Sequence, residues 1–100
     1  MTVADVKVYL RVTWDDENTN ERIAGIFLRA KGILSSYAGV ELEFDDTQRF
    51  ECQLLLDLCR YINSDAFEDF KKNYASELIS LRAKYAVAET EEENEEVSAV

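Results

Sequence analysis

The sequence contains no histidine and no proline, and only three glycines, two cysteines and one tryptophan among its 100 residues. The lack of histidine excludes a histidine-based catalytic triad, dyad or metal site. The glycines stand at positions 25, 32 and 39, so the chain has no glycine-rich loop for binding phosphate. With no proline and so few glycines, the chain favours helices over the turn-rich strands of a β protein.

Paired acidic residues are the remaining candidates for chemistry, at positions 15–17 and 45–46. Both groups stand at predicted helix starts, where the helix dipole and the free backbone N–H groups favour carboxylates. That role accounts for them better than a catalytic or magnesium site does. The sequence therefore predicts no enzyme, no cofactor and no metal site.

Long apolar runs are also missing. No stretch of 18 apolar residues and no signal-peptide pattern is present, so we expect neither a membrane span nor export.

The two cysteines, Cys52 and Cys59, fall seven residues apart on one predicted helix, or about 10 Å along its axis. A disulfide needs Cα atoms within about 7 Å, so these two cannot pair. We expect two small buried apolar residues in a reducing compartment, rather than a redox or metal site.

The strongest pattern in the chain is an apolar stripe that recurs every four residues, formed by Phe50, Leu54, Leu58, Ile62, Ala66 and Phe70. It predicts one helix over residues 46–73, about 40 Å long, with Asp45 and Gln48 as an acidic capping box at its start. Between residues 54 and 62 the helix is apolar most of the way round, so it must be packed on several sides. Either the other helices or a second copy of the protein could cover it. Within it, Asp57 and Arg60 are spaced to form an ion pair.

Two shorter helices are predicted before this central one. Thr2 and Asp5 fit a capping box for a helix over about residues 3–11, and Gly39 ends a second helix that begins at residue 18 or 19. Gly25 and Gly32 lie on one side of that second helix, where a close crossing within or between subunits would explain them, as would chance. Residues 39–46 alternate apolar and acidic, which predicts an extended connector with one face inward.

Trp14 stands in the polar connector between the first two helices. It is either a lid on the core or an anchor for a partner protein, since both roles are common for tryptophan.

The net charge of −10 is unevenly distributed, because six of the 21 acidic residues fall between positions 89 and 96. Without these six, the body carries 15 acidic residues against 11 basic ones, a net charge of −4. We expect residues 1–88 to form one helical domain, whose last helix covers about residues 74–88, and residues 89–100 to form a disordered acidic tail. The acidic balance argues against nucleic-acid binding, although a negative wall would let DNA slide past. The predicted fold is all-α, a small bundle of about four helices around one long central helix.

From residue 2 to about residue 87 the chain resembles the tailed-phage head–tail connector family, the head-completion or DNA-packaging adaptor proteins of siphovirus-like phages and prophages. The resemblance is carried by Leu10-Arg11 followed by Trp14-Asp15-Asp16, by Cys59-Arg60-Tyr61 and by Ser76-Glu77-Leu78. It implies a helical subunit, located in the virion and in the host cytoplasm during assembly, that forms a ring under the portal. That ring would extend the DNA channel without binding DNA specifically, and would contact the portal and a stopper or tail-completion protein. The subunit itself could be a monomer in solution.

Two other classes of function remain open. The acidic charge would also suit a DNA-mimicking inhibitor, and a small acidic helical antitoxin or assembly chaperone is a further alternative. For an interface with sibling subunits or the portal, the candidate residues are Trp14, Tyr74, Leu78, Leu81 and Arg82, because aromatic residues, apolar heptad positions and arginine favour interface cores. Leu78 and Leu81 could instead simply close the subunit's own core.

Overall fold

The structure is a computed structural model that describes the backbone of residues 1–98 and the side chains of residues 1–86. Within this part of the chain there are five helices and no strand, which confirms the predicted all-α class. The helices are α1 (Val3–Tyr9), α2 (Glu17–Ala38), α3 (Arg49–Asn63), α4 (Phe67–Asn73) and α5 (Ala75–Ser98). The side chains of the predicted acidic tail, residues 89–100, lie outside the described part.

The predicted start of α1 is confirmed in detail. Thr2 accepts a hydrogen bond from the Asp5 backbone N–H, and Asp5 accepts one from the Thr2 backbone N–H at 2.8 Å, which together form the capping box. The helix ends at Tyr9 rather than at residue 11, because Arg11 has a φ of 59°. The N–H groups of Arg11 and Val12 turn back to the carbonyls of Val8 and Lys7, a Schellman ending.

Helix α2 ends where predicted and begins at Glu17, just before the predicted start at residue 18 or 19. Asp16 caps its first turn by accepting a hydrogen bond from the Thr19 N–H at 2.8 Å. Gly39 ends it with a φ of 78°, the left-handed conformation that glycine adopts without strain. No other group lies within 4 Å of where a Cβ at Gly25 or Gly32 would be, so these glycines do not serve a close crossing within the described chain.

The single helix predicted over residues 46–73 is wrong, because the structure divides it into α3 and α4. Asp65 takes the left-handed conformation with a φ of 55°. The Ala66 N–H donates to the Tyr61 carbonyl at 2.8 Å and the Asp65 N–H to the Ile62 carbonyl at 3.0 Å, which again forms a Schellman ending. The apolar spacing continues through the break, and the local sequence signal for it is the run of weak helix formers Asn63, Ser64 and Asp65.

The start of α3 also lies later than predicted. Asp45 accepts a hydrogen bond from the Thr47 N–H at 2.9 Å and forms a local turn instead of a cap. Gln48 accepts one from the Phe44 N–H at 2.8 Å, so the helix begins at Arg49. In the connector before it, Leu42 and Phe44 are buried while Glu41 and Glu43 are exposed, as the alternation predicts.

Helix α3 is the centre of the core. Its residues Leu54, Leu55, Leu58 and Cys59 are buried, and the helix packs against α1, α2 and α4. The chain's own helices therefore cover most of the apolar surface that the sequence left without an assigned partner, while Leu56, Tyr61 and Ile62 stay half-buried. Cys59 is fully buried as expected, whereas Cys52 is only half-buried, and the two thiols are free.

Asp57 ties α3 to α1 and to the junction between α4 and α5. Its Oδ1 accepts hydrogen bonds from the Tyr9 hydroxyl at 2.5 Å and the Gln53 amide at 3.1 Å, and its Oδ2 accepts one from the Tyr74 hydroxyl at 3.0 Å. The predicted pair with Arg60 is not formed. Arg60 is exposed instead, with its guanidinium 5.6 Å from the centre of the Tyr61 ring. Two phenols, one from α1 and one from the junction of α4 and α5, donate to this carboxylate, and spacing along α3 could not predict either contact.

Glu51 ties α3 to α5. Its side chain is fully buried, and its Oε1 lies 2.5 Å from Nζ of Lys84 and 3.0 Å from the hydroxyl of Tyr85. Desolvation by burial opposes ionisation of Glu51, but the hydrogen bonds from Lys84 and Tyr85 outweigh it and lower the pKa of this carboxyl. The pair holds the first half of α5 against the core.

Candidate interaction surface

An apolar groove runs along the first half of α5, beside the end of α2. It has a volume of about 510 Å³ and is open to solvent. Its lining residues are Tyr37 from α2, Lys71 from α4, and Ala75, Leu78, Ile79, Arg82 and Ala83 from α5. The volume falls within the roughly 300–1,000 Å³ of pockets that bind small molecules in proteins.

The floor of the groove comes from one face of α5. Ala75, Ile79 and Ala83 recur every four residues, so they lie one above another on the helix. The two alanine side chains on either side of Ile79 are too small to cover it, and 70% of its surface is exposed. An isoleucine exposed to this extent in a concave apolar surface indicates a contact that the described chain does not itself complete.

Two basic residues, Lys71 and Arg82, line the groove, although the protein as a whole is acidic. Lys71 pairs with Glu68 at 3.0 Å, and both side chains are exposed. The Arg82 guanidinium lies over Gly39, where it leaves no room for a Cβ, and makes no ion pair within the described residues. A partner that carries a carboxylate beside an apolar side chain would complement both features.

The predicted interface residues separate into two groups. Leu81 is fully buried and Leu78 keeps only 6% exposure, so both contribute to the chain's own core. Tyr74 is half-buried and is held by its hydrogen bond to Asp57. Arg82 and Trp14 remain exposed. Of the five candidates, these two are the ones with side chains free to meet a partner.

Trp14 has 57% of its surface exposed, so it is not a lid on the core. It is followed by three exposed acidic residues. Asp15 accepts a hydrogen bond from Asn20 at 2.7 Å and pairs with Lys7 at 3.3 Å, while Asp16 caps α2. The hydrogen bonds from Asn20 and Lys7 lower the pKa of Asp15, and those from the Thr19 backbone and side chain lower that of Asp16. The tryptophan therefore sits beside a fixed negative charge.

Tyr37, Lys71, Ile79 and Ala83 were not among the sequence candidates. The signal for the α5 residues was present, because Ala75, Ile79 and Ala83 form a second stripe beside the heptad of Tyr74, Leu78, Leu81 and Tyr85. The heptad stripe turned out to be the inward one. Nothing in the sequence places Tyr37 beside α5, since that contact depends on how the helices pack.

Among the described residues, no cluster of three or more cysteine, aspartate or glutamate side chains could hold a metal ion. No helix in the described part of the chain combines the length and apolar character needed to cross a bilayer.

Comparison of the chain with protein-family models, with curated protein sequences and with solved structures found no match in any of the three.

Proposed function

We propose that this protein is a structural subunit of the ring that joins head and tail in a tailed phage or prophage. In this proposal the ring lies under the portal, extends the DNA channel and offers a platform to a stopper or tail-completion protein. The subunit acts by binding, with no catalytic step and no cofactor. It belongs to the virion, and to the host cytoplasm during assembly.

The observation that carries the proposal is the position of the exposed apolar side chains. Trp14 lies before α2, whereas Ile79 lies in the groove beside the end of α2, so two different apolar features occupy separate parts of one small domain. A closed ring needs two different complementary faces on each subunit, because its contacts run head to tail. The resemblance of residues 2–87 to connector proteins supports the same proposal.

The charge of the body is also in keeping with this role. The body has a net charge of −4 and the whole chain one of −10, so both would repel the phosphate backbone, and DNA could move through a ring of such subunits without being held. In the DNA-mimic alternative, by contrast, the carboxylates would have to stand on an ordered surface at phosphate-like spacing.

The proposal is tested by mixing the purified chain with the portal protein of the same phage or prophage and measuring co-sedimentation over a range of salt concentrations. We expect a stable complex in which several copies bind each portal ring. A chain shortened to residues 1–88 should bind as well as the full chain, whereas an inhibitor that acts through the acidic segment should lose its potency. Absence of binding at every salt concentration would overturn the connector function.

The variants for this binding experiment should replace solvent-exposed side chains, so that the fold is preserved. Leu78→Asp is unsuitable, because a charge at a side chain with 6% exposure should unfold the subunit rather than test docking. Arg82→Ala and Trp14→Ala alter exposed side chains and should leave the fold intact. Circular dichroism and thermal unfolding of each variant would verify this before binding is measured.

A further inference from the structure

We propose that the groove on α5 receives Trp14 of a second copy of this chain, so that the two features form one head-to-tail contact between subunits. The inference rests on the proposed function in one respect, since a ring requires such a contact. The pairing of these two surfaces is argued from their shape, charge and separation.

The two surfaces complement each other in shape and polarity. A tryptophan side chain carries roughly 150–250 Å² of surface, and interface hot spots are commonly tryptophans that fill a pocket on the partner. The groove offers about 510 Å³ lined mainly by alanine, leucine and isoleucine. Trp14 is the most exposed aromatic side chain among the described large hydrophobic residues, at 57%. Burying it against Ile79 would remove both from water.

Their charges are also opposite. Trp14 is followed directly by Asp15, Asp16 and Glu17, and Glu17 makes no ion pair within the part of the chain that the structure describes. The groove carries Lys71 and the unpaired Arg82. When Trp14 enters the groove, the carboxylates of the three residues that follow it come close to these two bases. This fixes the orientation of the contact.

One chain cannot make this contact with itself. Trp14 precedes α2, and Tyr37, which lines the groove, lies in its last turn, so about 30 Å of helix separates them at 1.5 Å per residue. A contact between two different surfaces of the same chain, closed only by a second copy, is heterologous and propagates to a ring or a filament.

The test uses two variants that each keep one half of the contact. Trp14→Ala retains the groove and has no tryptophan, because Trp14 is the single tryptophan of the chain. Ile79→Glu retains Trp14 but places a charge in the groove. When Trp14→Ala is titrated into Ile79→Glu, all tryptophan emission comes from the second variant. We expect the emission to shift to shorter wavelength, acrylamide quenching to fall, and sedimentation to show a complex of two subunits.

The matched control is Leu28→Glu. Leu28 is exposed to 69%, close to the 70% of Ile79, and lies on α2 outside the groove. This variant should self-associate like the unaltered chain, to species larger than a dimer, while Ile79→Glu alone and Trp14→Ala alone stay monomeric. Unchanged emission in the mixture up to about 1 mM of each variant, where even weak contacts are populated, would overturn the inference. Equal loss of association in Leu28→Glu and Ile79→Glu would also overturn it.

The outcome is separable from that of the proposed function. If the two variants associate but the unaltered chain never binds a portal, the contact stands and the connector function falls. If the unaltered chain binds its portal while the mixture shows no change in emission, the connector function stands and the contact falls.

Discussion

The hydroxyl oxygen of Tyr9 lies 2.5 Å from Oδ1 of Asp57 and joins α1 to α3 across 48 positions of sequence. The same carboxylate accepts a hydrogen bond from Tyr74, the residue that joins α4 to α5. Three separate parts of the chain therefore meet at one buried acid, and the groove on α5 begins one residue beyond Tyr74. The carboxylate fixes the position of the helix that carries the groove.

Replacing Asp57 with alanine should lower the free energy of unfolding by about 2–3 kcal/mol, because two tyrosine hydroxyls lose their acceptor in a mostly buried site. Tyr9→Phe removes one hydrogen bond and should cost about 1 kcal/mol. Urea unfolding at neutral pH would measure both. Asp69→Ala, at an exposed position on α4, is the control and should change stability by less than about 0.5 kcal/mol. An Asp57→Ala variant as stable as this control would show that the network does not hold the helices together.

The raised pKa values of Tyr74 and Tyr85 predict that the protein loses stability at alkaline pH. Burial raises the pKa of Tyr74 to about 12, with the hydrogen bond to Asp57 adding to it, and burial with the hydrogen bond to Glu51 raises that of Tyr85 to about 12. In the unfolded chain both should titrate near the ordinary value of 10.0. Because the folded pKa is the higher one, this stabilisation is fully present below pH 10 and is lost as the pH rises towards 12.

Urea unfolding between about pH 9 and pH 11 would measure this alkaline loss, and the readout is the slope of stability against pH. Tyr74→Phe and Tyr85→Phe should each have a shallower slope than the unaltered chain. Lysine side chains lose their charge in the same range, so the comparison between variants isolates the phenols. Equal slopes in all three proteins would contradict the prediction.

Lys84→Met should lower the free energy of unfolding by about 1–3 kcal/mol, because it leaves the buried Glu51 carboxylate without its cation. The low end of this range allows for the solvent exposure of Lys84, which weakens the ion pair. The Lys84 side chain is 51% exposed and that of Glu51 is fully buried. The pKa of Glu51 is lowered, so its stabilisation is present above the ordinary value of 4.5 and is lost as the pH falls below it. Chemical unfolding at neutral and acidic pH would show both effects.

The matched control for that variant is Lys71→Met, which removes an ion pair between two exposed side chains. It should change stability by less than about 1 kcal/mol. If Lys71→Met and Lys84→Met have the same effect, burial of Glu51 does not determine the strength of its pair.

Two glycine substitutions should act in opposite directions. Gly32→Ala should stabilise the protein by up to about 1 kcal/mol, because it lies inside α2 with open space around it and alanine is the better helix former. Gly39→Ala should destabilise by about 1–2 kcal/mol, because a side chain is strained at its φ of +78° and would displace Arg82. Thermal unfolding of the pair, compared with the unaltered chain, measures the sign of each. A stabilising Gly39→Ala would be inconsistent with the left-handed ending of α2.

The ends of the helices show which structural features can be predicted from neighbouring residues alone. Thr2 with Asp5, Asp16 with Thr19, and Gly39 each satisfy or redirect backbone groups within a few residues, so the caps of α1 and α2 follow from neighbouring residues alone. The inward alternation of Leu42 and Phe44 is local in the same way. The break at Asp65 is also a local event: the weak helix formers at 63–65 permit it, while the uninterrupted four-residue spacing from Leu58 to Phe70 favoured a continuous helix.

By itself, the sequence determined the all-α class, the end of α2 at Gly39, the inward side of the 39–46 connector and the absence of histidine chemistry, because these depend on spacing and composition. Only the tertiary structure decided which apolar residues remain exposed. Leu78 and Leu81 turned inward while Ile79, beside them on the same helix, faced the groove, because α5 packs with its leucine side on the core and with Lys84 and Tyr85 in contact with the buried Glu51. Asp57 likewise took partners from α1 and the end of α4, because buried carboxylates bind the donors that packing brings to them rather than those adjacent in sequence.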